Sequence, residues 1–283
     1  MNAASLVIVL CSVLPGQAAT APQAQPASRS AKAVEAFRAE AAEYVVRLAS
    51  RPEEKLVLEK EAALRWDNPA RTGEDGALFV WTLHGRPEMI GTIFTYRFKE
   101  TLSRKHEVHS LATGPLAAEF RGKQVWAPPK AGVVFQPVKG APPPAAIPRQ
   151  RLSQMKTLAR DFAVSMTDAE GQQFQLRLLA QPLVRYEPQD KQVQDGALFA
   201  FSLGTDPEAI LLLEARATKD AFEWQYAFAR FHYIELKAQH QGREVWRVPA
   251  LPPDIMNLDI GQARYQDSVY TTYHVERGIP VAE

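Results

Sequence analysis

Asp75-Gly76-Ala77-Leu78-Phe79 returns as Asp195-Gly196-Ala197-Leu198-Phe199, a shift of 120 residues. Working outward, the same shift carries Arg65 onto Arg185, Trp66 onto Tyr186, Leu83 onto Leu203, Pro87-Glu88 onto Pro207-Glu208 and Ile90 onto Ile210. It still holds from Gly122 to Gly242, from Val125-Trp126 to Val245-Trp246 and from Pro129 to Pro249. Residues 64–129 set against 184–249 share 17 identities in 66 positions without a gap. One register kept that far, with identities at turn residues and tryptophans, reads as two tandem copies of one unit.

An apolar stripe precedes each copy. Val34, Phe37, Ala41, Tyr44 and Leu48 recur every three or four residues behind Ser30, a candidate N-cap, and predict a helix. Leu152, Met155, Ala159, Phe162 and Met166 repeat the pattern. Strand signals follow in both copies: Lys55–Trp66 and Phe174–Tyr186 (broken by Pro182), then Ala77–Leu83 and Ala197–Leu203, each entered by Asp-Gly read as a turn. Ile90, Thr92, Phe94, Tyr96 and Phe98 alternate onto one face, whereas Ile210-Leu211-Leu212-Leu213 is apolar on both. Further strands are expected over Lys105–Leu111 and Trp224–Tyr233, and final pairs turn at Arg121-Gly122-Lys123 and Gln241-Gly242-Arg243. The expected class is α+β: two tandem related units, each one N-terminal helix followed by an antiparallel β-meander. The doubly apolar strand predicts that the units pack together.

The chain has 283 residues, 46% of them hydrophobic, which suffices to build a core. With 33 basic and 32 acidic residues the formal charge is +1, which provides no field for nucleic acid. Cys11 is the sole cysteine, so the sequence excludes a disulfide framework, a cysteine zinc site and an iron–sulfur cluster. Leu6–Leu14 is apolar but too short to span a bilayer, and Gly16-Gln17-Ala18 offers small residues before a cut ahead of Ala19. The expected organisation is a signal peptide over 1–18, a disordered leader over 19–29, and unit one over 30–136. A Pro-rich linker follows over 137–148, then unit two over 149–250 and a C-terminal extension over 251–283. No later segment is apolar for long enough to cross a membrane, so no integral membrane segment is expected after signal cleavage, and the compartment is periplasmic or extracellular.

The chemistry-bearing residues form no complete constellation. His106-Glu107-Val108-His109 lacks the spacing of a helical metalloprotease motif, and on a strand Glu107 and His109 share a face while His106 points away. Glu214 and Arg216 interrupt an otherwise apolar strand where unit one carries Phe94 and Tyr96, a local inconsistency of the kind that marks sites. Glu214, Arg216, Glu107 and His109 are therefore the catalytic candidates. Asp75 and Asp195 are read as turn formers, Glu88 and Glu208 as caps or ligand contacts, and Arg65 and Arg185 as partners of an aromatic or a carboxylate. No nucleophile elbow, phosphate loop or dinucleotide fingerprint is present, and neither cofactor nor metal is expected.

The runs DGALFVWTLHGRPE at 75–88, QLRLLAQPLVRYEP at 175–188 and DGALFAFSLGTDPEAILLLEAR at 195–216 resemble an uncharacterised family of exported bacterial proteins. The resemblance covers nearly all of the mature chain. It implies export and a shared module, and it lends no activity, cofactor or catalytic residue. The function expected is a non-catalytic binding or envelope-structural role with an envelope or extracellular ligand. The alternative is an envelope hydrolase with its site in the groove between the units, which leaves open whether the protein is an enzyme. Convergent titratable groups in the largest cleft would favour the second.

Overall fold

The computed structural model describes residues 26–68, 73–98, 101–189, 191–262 and 265–280. The signal-peptide reading of 1–18 lies outside them, as does most of the leader. In chain order the elements are α1 (Pro26–Ala41), β1 (Tyr44–Leu48), β2 (Val57–Leu58), β3 (Leu64–Asn68), β4 (Gly73–Leu83), β5 (Arg86–Phe98), β6 (Thr101–Ser110), β7 (Leu116–Phe120), β8 (Lys123–Trp126) and β9 (Gln136–Pro137). Then come α2 (Pro148–Arg160), β10 (Phe162–Thr167), β11 (Gln173–Gln175), β12 (Arg177–Leu178), β13 (Val184–Tyr186), β14 (Val193–Leu203), β15 (Asp206–Ala217), β16 (Phe222–Arg230), β17 (Glu235–His240), β18 (Arg243–Val248), a 3-10 turn over Pro253–Asn257 and β19 (Tyr270–Pro280).

The α+β expectation is corrected. Among the described residues the protein is mostly β, 52% strand against 12% helix, and its antiparallel sheets stand as four blades of a propeller-like arrangement rather than as tandem helix-plus-meander units. Among the described residues, β1, β7 and β8 make a first small sheet, and β19-β6-β5-β4-β2 a first large one with β3 also on β4. A second large sheet runs β12-β14-β15-β16-β9 with β13 also on β14, and a second small sheet runs β11-β10-β17-β18.

Both predicted helices end early. Tyr44 and Leu48 lie on β1, and Phe162 and Met166 on β10, beyond helices that stop at Ala41 and Arg160. The i, i+3/i+4 spacing ran on by coincidence. In β1 burial alternates at Tyr44 and Val46, the period of a strand, and the two valines favour that state. Ser30 is inside α1 rather than at its N-cap, and Pro26–Arg29, expected to be disordered, are helical.

Asp-Gly is likewise not a turn. Asp75-Gly76 and Asp195-Gly196 lie within β4 and β14, one residue past β-bulges between Gly73 and Asp75 and between Val193 and Asp195. A Cβ on Gly76 would overlap the Trp66 indole, and one on Gly196 would overlap the Tyr186 ring. Glycine is there so that the aromatic of the neighbouring strand can lie flat across the sheet. The β7–β8 and β17–β18 hairpins do turn at the expected glycines, with positive φ at Arg121-Gly122 and at Gln241-Gly242, the type I′ geometry.

Pairings in the two halves follow the same shift. Gly76 faces Phe94 and Gly196 faces Glu214, while Val80 and Ala200 face Ile90 and Ile210. Alternation along the central strands explains their unbroken apolar runs. Ala77, Phe79 and Trp81 enter a core with α1 and the first small sheet, and Ala197, Phe199 and Phe201 one with α2 and the second. Leu78, Val80 and Ile90 meet Leu198, Ala200, Ile210 and Leu212 in a third core between the two large sheets. The outer edges of those sheets are completed from outside the repeated segment. β19 of the C-terminal extension pairs with β6, and β9 at the start of the linker pairs with β16.

Candidate functional site

The shift of 120 defines two equivalent places at opposite ends of the inter-sheet core, and they are filled differently. At one end Glu214 is fully buried. It accepts from Arg86 Nε at 3.0 Å, from the Tyr186 hydroxyl at 2.8 Å and from the Arg216 guanidinium. Arg86 also pairs with Glu88 at 2.9 Å, and the Phe135 ring lies 4.4 Å from the Arg216 guanidinium carbon. Burial alone would pull the Arg86 guanidinium down, but the Glu214 and Glu88 carboxylates more than offset this and raise it. This cluster joins the two large sheets.

At the other end the equivalents are Trp66 for Tyr186, Phe94 for Glu214, Tyr96 for Arg216, Asp206 for Arg86 and Glu208 for Glu88. There the same strands enclose a cavity of about 270 Å³. Trp66, Phe94, Tyr96, Phe231, Tyr233 and Tyr270 supply aromatic wall, while Lys105, Glu107, Asp206 and Glu208 supply charge. The Trp66 and Phe94 ring centroids are 5.5 Å apart, and Trp66 Nε1 donates to Thr92 Oγ1 at 3.4 Å. His232 and the exposed Asn257 also line it.

Glu107 lies on β6 opposite Thr272 of β19, and its carboxylate accepts from the Tyr270 hydroxyl. Burial raises its pKa to about 8, the Asp206 charge adds to the rise, and the Tyr270 hydrogen bond and Lys105 oppose it. Lys105, two residues earlier on the same face, donates from Nζ to the Met256 carbonyl at 2.9 Å. Burial lowers it to about 8 against the pull of Glu107. Behind the wall the Arg230 guanidinium donates to the carbonyls of His232, Tyr233, Ile234 and Pro249, and it lies 5.4 Å from the Tyr270 ring centre. That cation is fixed to backbone rather than aimed at the cavity.

Of the four catalytic candidates, the structure brings only Glu107 into this cavity. Glu214 and Arg216 belong to the ion cluster at the opposite end. His109 shares its strand face with Glu107 but is buried, with Nδ1 donating to the Ser110 carbonyl at 2.7 Å and its ring 6.3 Å from that of Tyr270. His106 points the other way, as the alternation requires. Its Nε2 lies 2.9 Å from Glu40 and its Nδ1 2.8 Å from the Tyr44 hydroxyl, which is itself bonded to Tyr273. This network ties α1, β1, β6 and β19 together inside the first core. Asp195 is not a turn former but a buried anchor, 2.8 Å from Arg151 of α2 and bonded twice by Arg185. Among the described residues no group of three His, Cys, Asp or Glu side chains is placed to hold a metal, and no helix is long and apolar enough to cross a membrane.

The reading from sequence missed Lys105, Asp206, Trp66 and Tyr270. One signal was available: aligned by the repeat, Arg86 falls on Asp206 just as Phe94 falls on Glu214. A charge exchanged in one pair and a charge gained in the other mark the same two spots.

The chain matches no family model, no curated protein and no solved structure.

Two histidines make the acid limb of stability predictable. Burial lowers His109 to about 4, as it does His274, against an ordinary value of 6.5. Both depressed groups contribute stability that is fully present above pH 6.5 and is lost as pH falls toward 4, because only the unfolded chain takes up these protons. Urea titrations between pH 7 and 4 are expected to show that decline, and His109→Gln to make it shallower by one proton. An unchanged slope in the variant would show that His109 is not a neutral buried group.

Proposed function

We propose that the chain is an exported protein whose small-molecule ligand occupies the cavity between the two large sheets; the titratable groups that converge there are the feature expected of an enzyme site and carry the second reading below. The observation that carries this reading is the inequality of the two equivalent ends. A side-chain cluster closes one, while the same strands at the other leave an aromatic-walled space with polar groups turned inward, the usual character of a ligand site. The cavity is smaller than the roughly 300–1,000 Å³ of drug-sized pockets, so the ligand is small. Export is supported by the apolar segment Leu6–Leu14 and the small residues at Gly16 and Ala18, and tandem duplication of one unit by the 17 shared positions.

The test is native mass spectrometry of the protein purified gently from its own host. A mature chain beginning at Ala19 with a low-molecular-weight adduct is expected. Asn257→Trp, at an exposed lining residue, should lose the adduct while its circular dichroism stays unchanged. An unprocessed chain would defeat the export reading, and a bare mature chain the binding one.

The hydrolase alternative draws support from Glu107. A carboxyl pushed up to about 8 by burial and lying in one cavity with Asp206 and Glu208 matches the tuning of a general acid. It would be established by an adduct that decays to products in the parent protein but persists in Glu107→Gln.

A further inference from the structure

We propose that the Lys105 amine condenses reversibly with the carbonyl group of a small apolar aldehyde or ketone held in the cavity, with the Glu107 carboxyl as proton donor. This rests on the binding reading above and names the bond that holds the ligand.

Three observations carry it. The first is the setting of the amine. Lys105 is 1% exposed, yet its side chain lines the cavity. Its Nζ donates to the Met256 carbonyl at 2.9 Å and lies 3.8 Å from the Met256 sulfur. Both partners are neutral, and enclosing an ammonium without a carboxylate bonded to it is costly. Burial therefore favours the uncharged amine, whose nitrogen lone pair is the nucleophile. It lowers the group to about 8, with Glu107 opposing the fall and Arg277 adding to it. The second observation is the neighbour. Glu107 follows two residues on, about 7 Å along the same strand face, and lines the same cavity. The Tyr270 hydroxyl donates to its Oε1, which leaves Oε2 to carry a proton. Burial raises this carboxyl as it lowers the amine, so enclosure favours the uncharged form of both. The third observation is the other unit. Lys105 pairs with Phe94 across β5 and β6, and its counterpart Gln225 pairs with Glu214 across β15 and β16. The counterpart of Glu107 is Ala227. The strand pairing thus accepts uncharged residues at both places. Ionisable groups that burial penalises and the fold does not require are the local inconsistency expected of a site. Trp66, Phe94 and Tyr96 beside them offer the apolar wall for the body of the ligand.

In the reaction the Lys105 lone pair forms the C–N bond while the carbonyl π pair moves onto oxygen, and that oxygen takes the Glu107 proton. The nitrogen then returns a proton to the Glu107 carboxylate. Next the carbinolamine hydroxyl takes this proton and leaves as water, and the nitrogen lone pair closes the C=N bond. The product is an iminium beside the Glu107 carboxylate. One water is released, nothing is oxidised or reduced, and hydrolysis runs the same steps backwards.

The experiment treats the full chain at pH 7 with benzaldehyde and sodium cyanoborohydride, which reduces the iminium to a stable benzylamine, and locates the label by peptide mapping. Benzyl alcohol, the same ring without the carbonyl, is the comparison probe, and its binding is followed by Trp fluorescence. Lys105 is expected to take the label at least about tenfold faster than the exposed Lys123 and Lys130, since each unit by which a lysine pKa falls leaves about ten times more free amine at pH 7. Benzyl alcohol should slow the labelling of Lys105 and not that of the exposed lysines. Lys105→Met should remove the label, and Lys105→Arg, which keeps the charge, should do the same if the methionine variant fails to fold. Glu107→Gln should lower the maximal labelling rate about tenfold or more while the benzaldehyde concentration giving half that rate changes little. A merely structural role for Glu107 would move both. Protein purified from its host and reduced with borohydride should keep its adduct through denaturation, on the peptide that contains Lys105. If Lys105 labels no faster than the exposed lysines while benzyl alcohol binds, the carbonyl inference is overturned and the cavity remains a binding site. A host-derived adduct that is lost on denaturation after reduction has the same meaning. If neither probe engages the cavity and the host-purified protein is bare, the binding reading itself fails.

Discussion

Glu214→Ala is expected to lower unfolding stability by about 3–5 kcal/mol, the cost of breaking a buried ion pair from one side. The carboxylate bonds Arg86, Arg216 and Tyr186 at once and is fully buried. Its loss leaves the Arg86 guanidinium enclosed beside Glu88 and takes the Glu214 acceptor from the Tyr186 hydroxyl. Because Glu88 stays, the lower part of the range applies. Glu214→Gln, which keeps an acceptor for Tyr186, should cost less than Ala. A control at Glu119, whose 3.4 Å pair with Arg47 is partly exposed, should change stability by less than about 1 kcal/mol. Chemical denaturation with an unchanged slope measures all three. A loss below that of the control would show that the cluster does not hold the two large sheets together.

Gly196→Ala should be the more damaging of two equivalent glycine substitutions. In both β4 and β14 the added methyl overlaps an aromatic ring, Trp66 or Tyr186. Overpacking of this kind costs about 1–3 kcal/mol when the neighbour can shift. Trp66 borders the cavity and has somewhere to go. Tyr186 is tied by its hydroxyl to Glu214, so moving it also disturbs the ion cluster. Gly76→Ala is therefore expected within that range, with Trp66 pushed into the cavity and its fluorescence altered. Gly196→Ala should exceed Gly76→Ala by about 1 kcal/mol or more, the scale of the Tyr186 hydrogen bond to a charged acceptor. Equal losses at the two sites would contradict the claim that one end is filled and the other open.

The sites that reading the sequence found and missed follow from the same alternation. Glu107 was placed correctly on the His109 face of β6 because a strand's period is fixed at two. What that face meets depends on Tyr270, 163 residues away, and on Asp206 across the sheet boundary. Glu214 stood out as a charge in an apolar strand, but the same pattern describes a ligand group and a structural ion pair. Only the position of Arg86, 128 residues earlier, separates the two. The helix stripes were real up to Ala41 and Arg160. They were overextended because an apolar residue every third or fourth position is also met by chance in a short alternating strand. Asp-Gly was misread because the chain's strongest turn signal here serves another end, clearance for a ring on the neighbouring strand.

By itself the sequence determined the repeated segment, the shift that relates its positions, the strands that would be apolar on both faces and the glycine hairpins, since each depends on residues close in the chain or on plain comparison of the two halves. The tertiary structure alone decided that the class is mostly β and that β19 and β9 complete the large sheets. It also decided that one of two equivalent places is an ion cluster and the other a cavity. The reason is physical: pairing partners and counter-charges are chosen across long loops by burial and by the need to satisfy each enclosed polar group, and neither is written in any local window of residues.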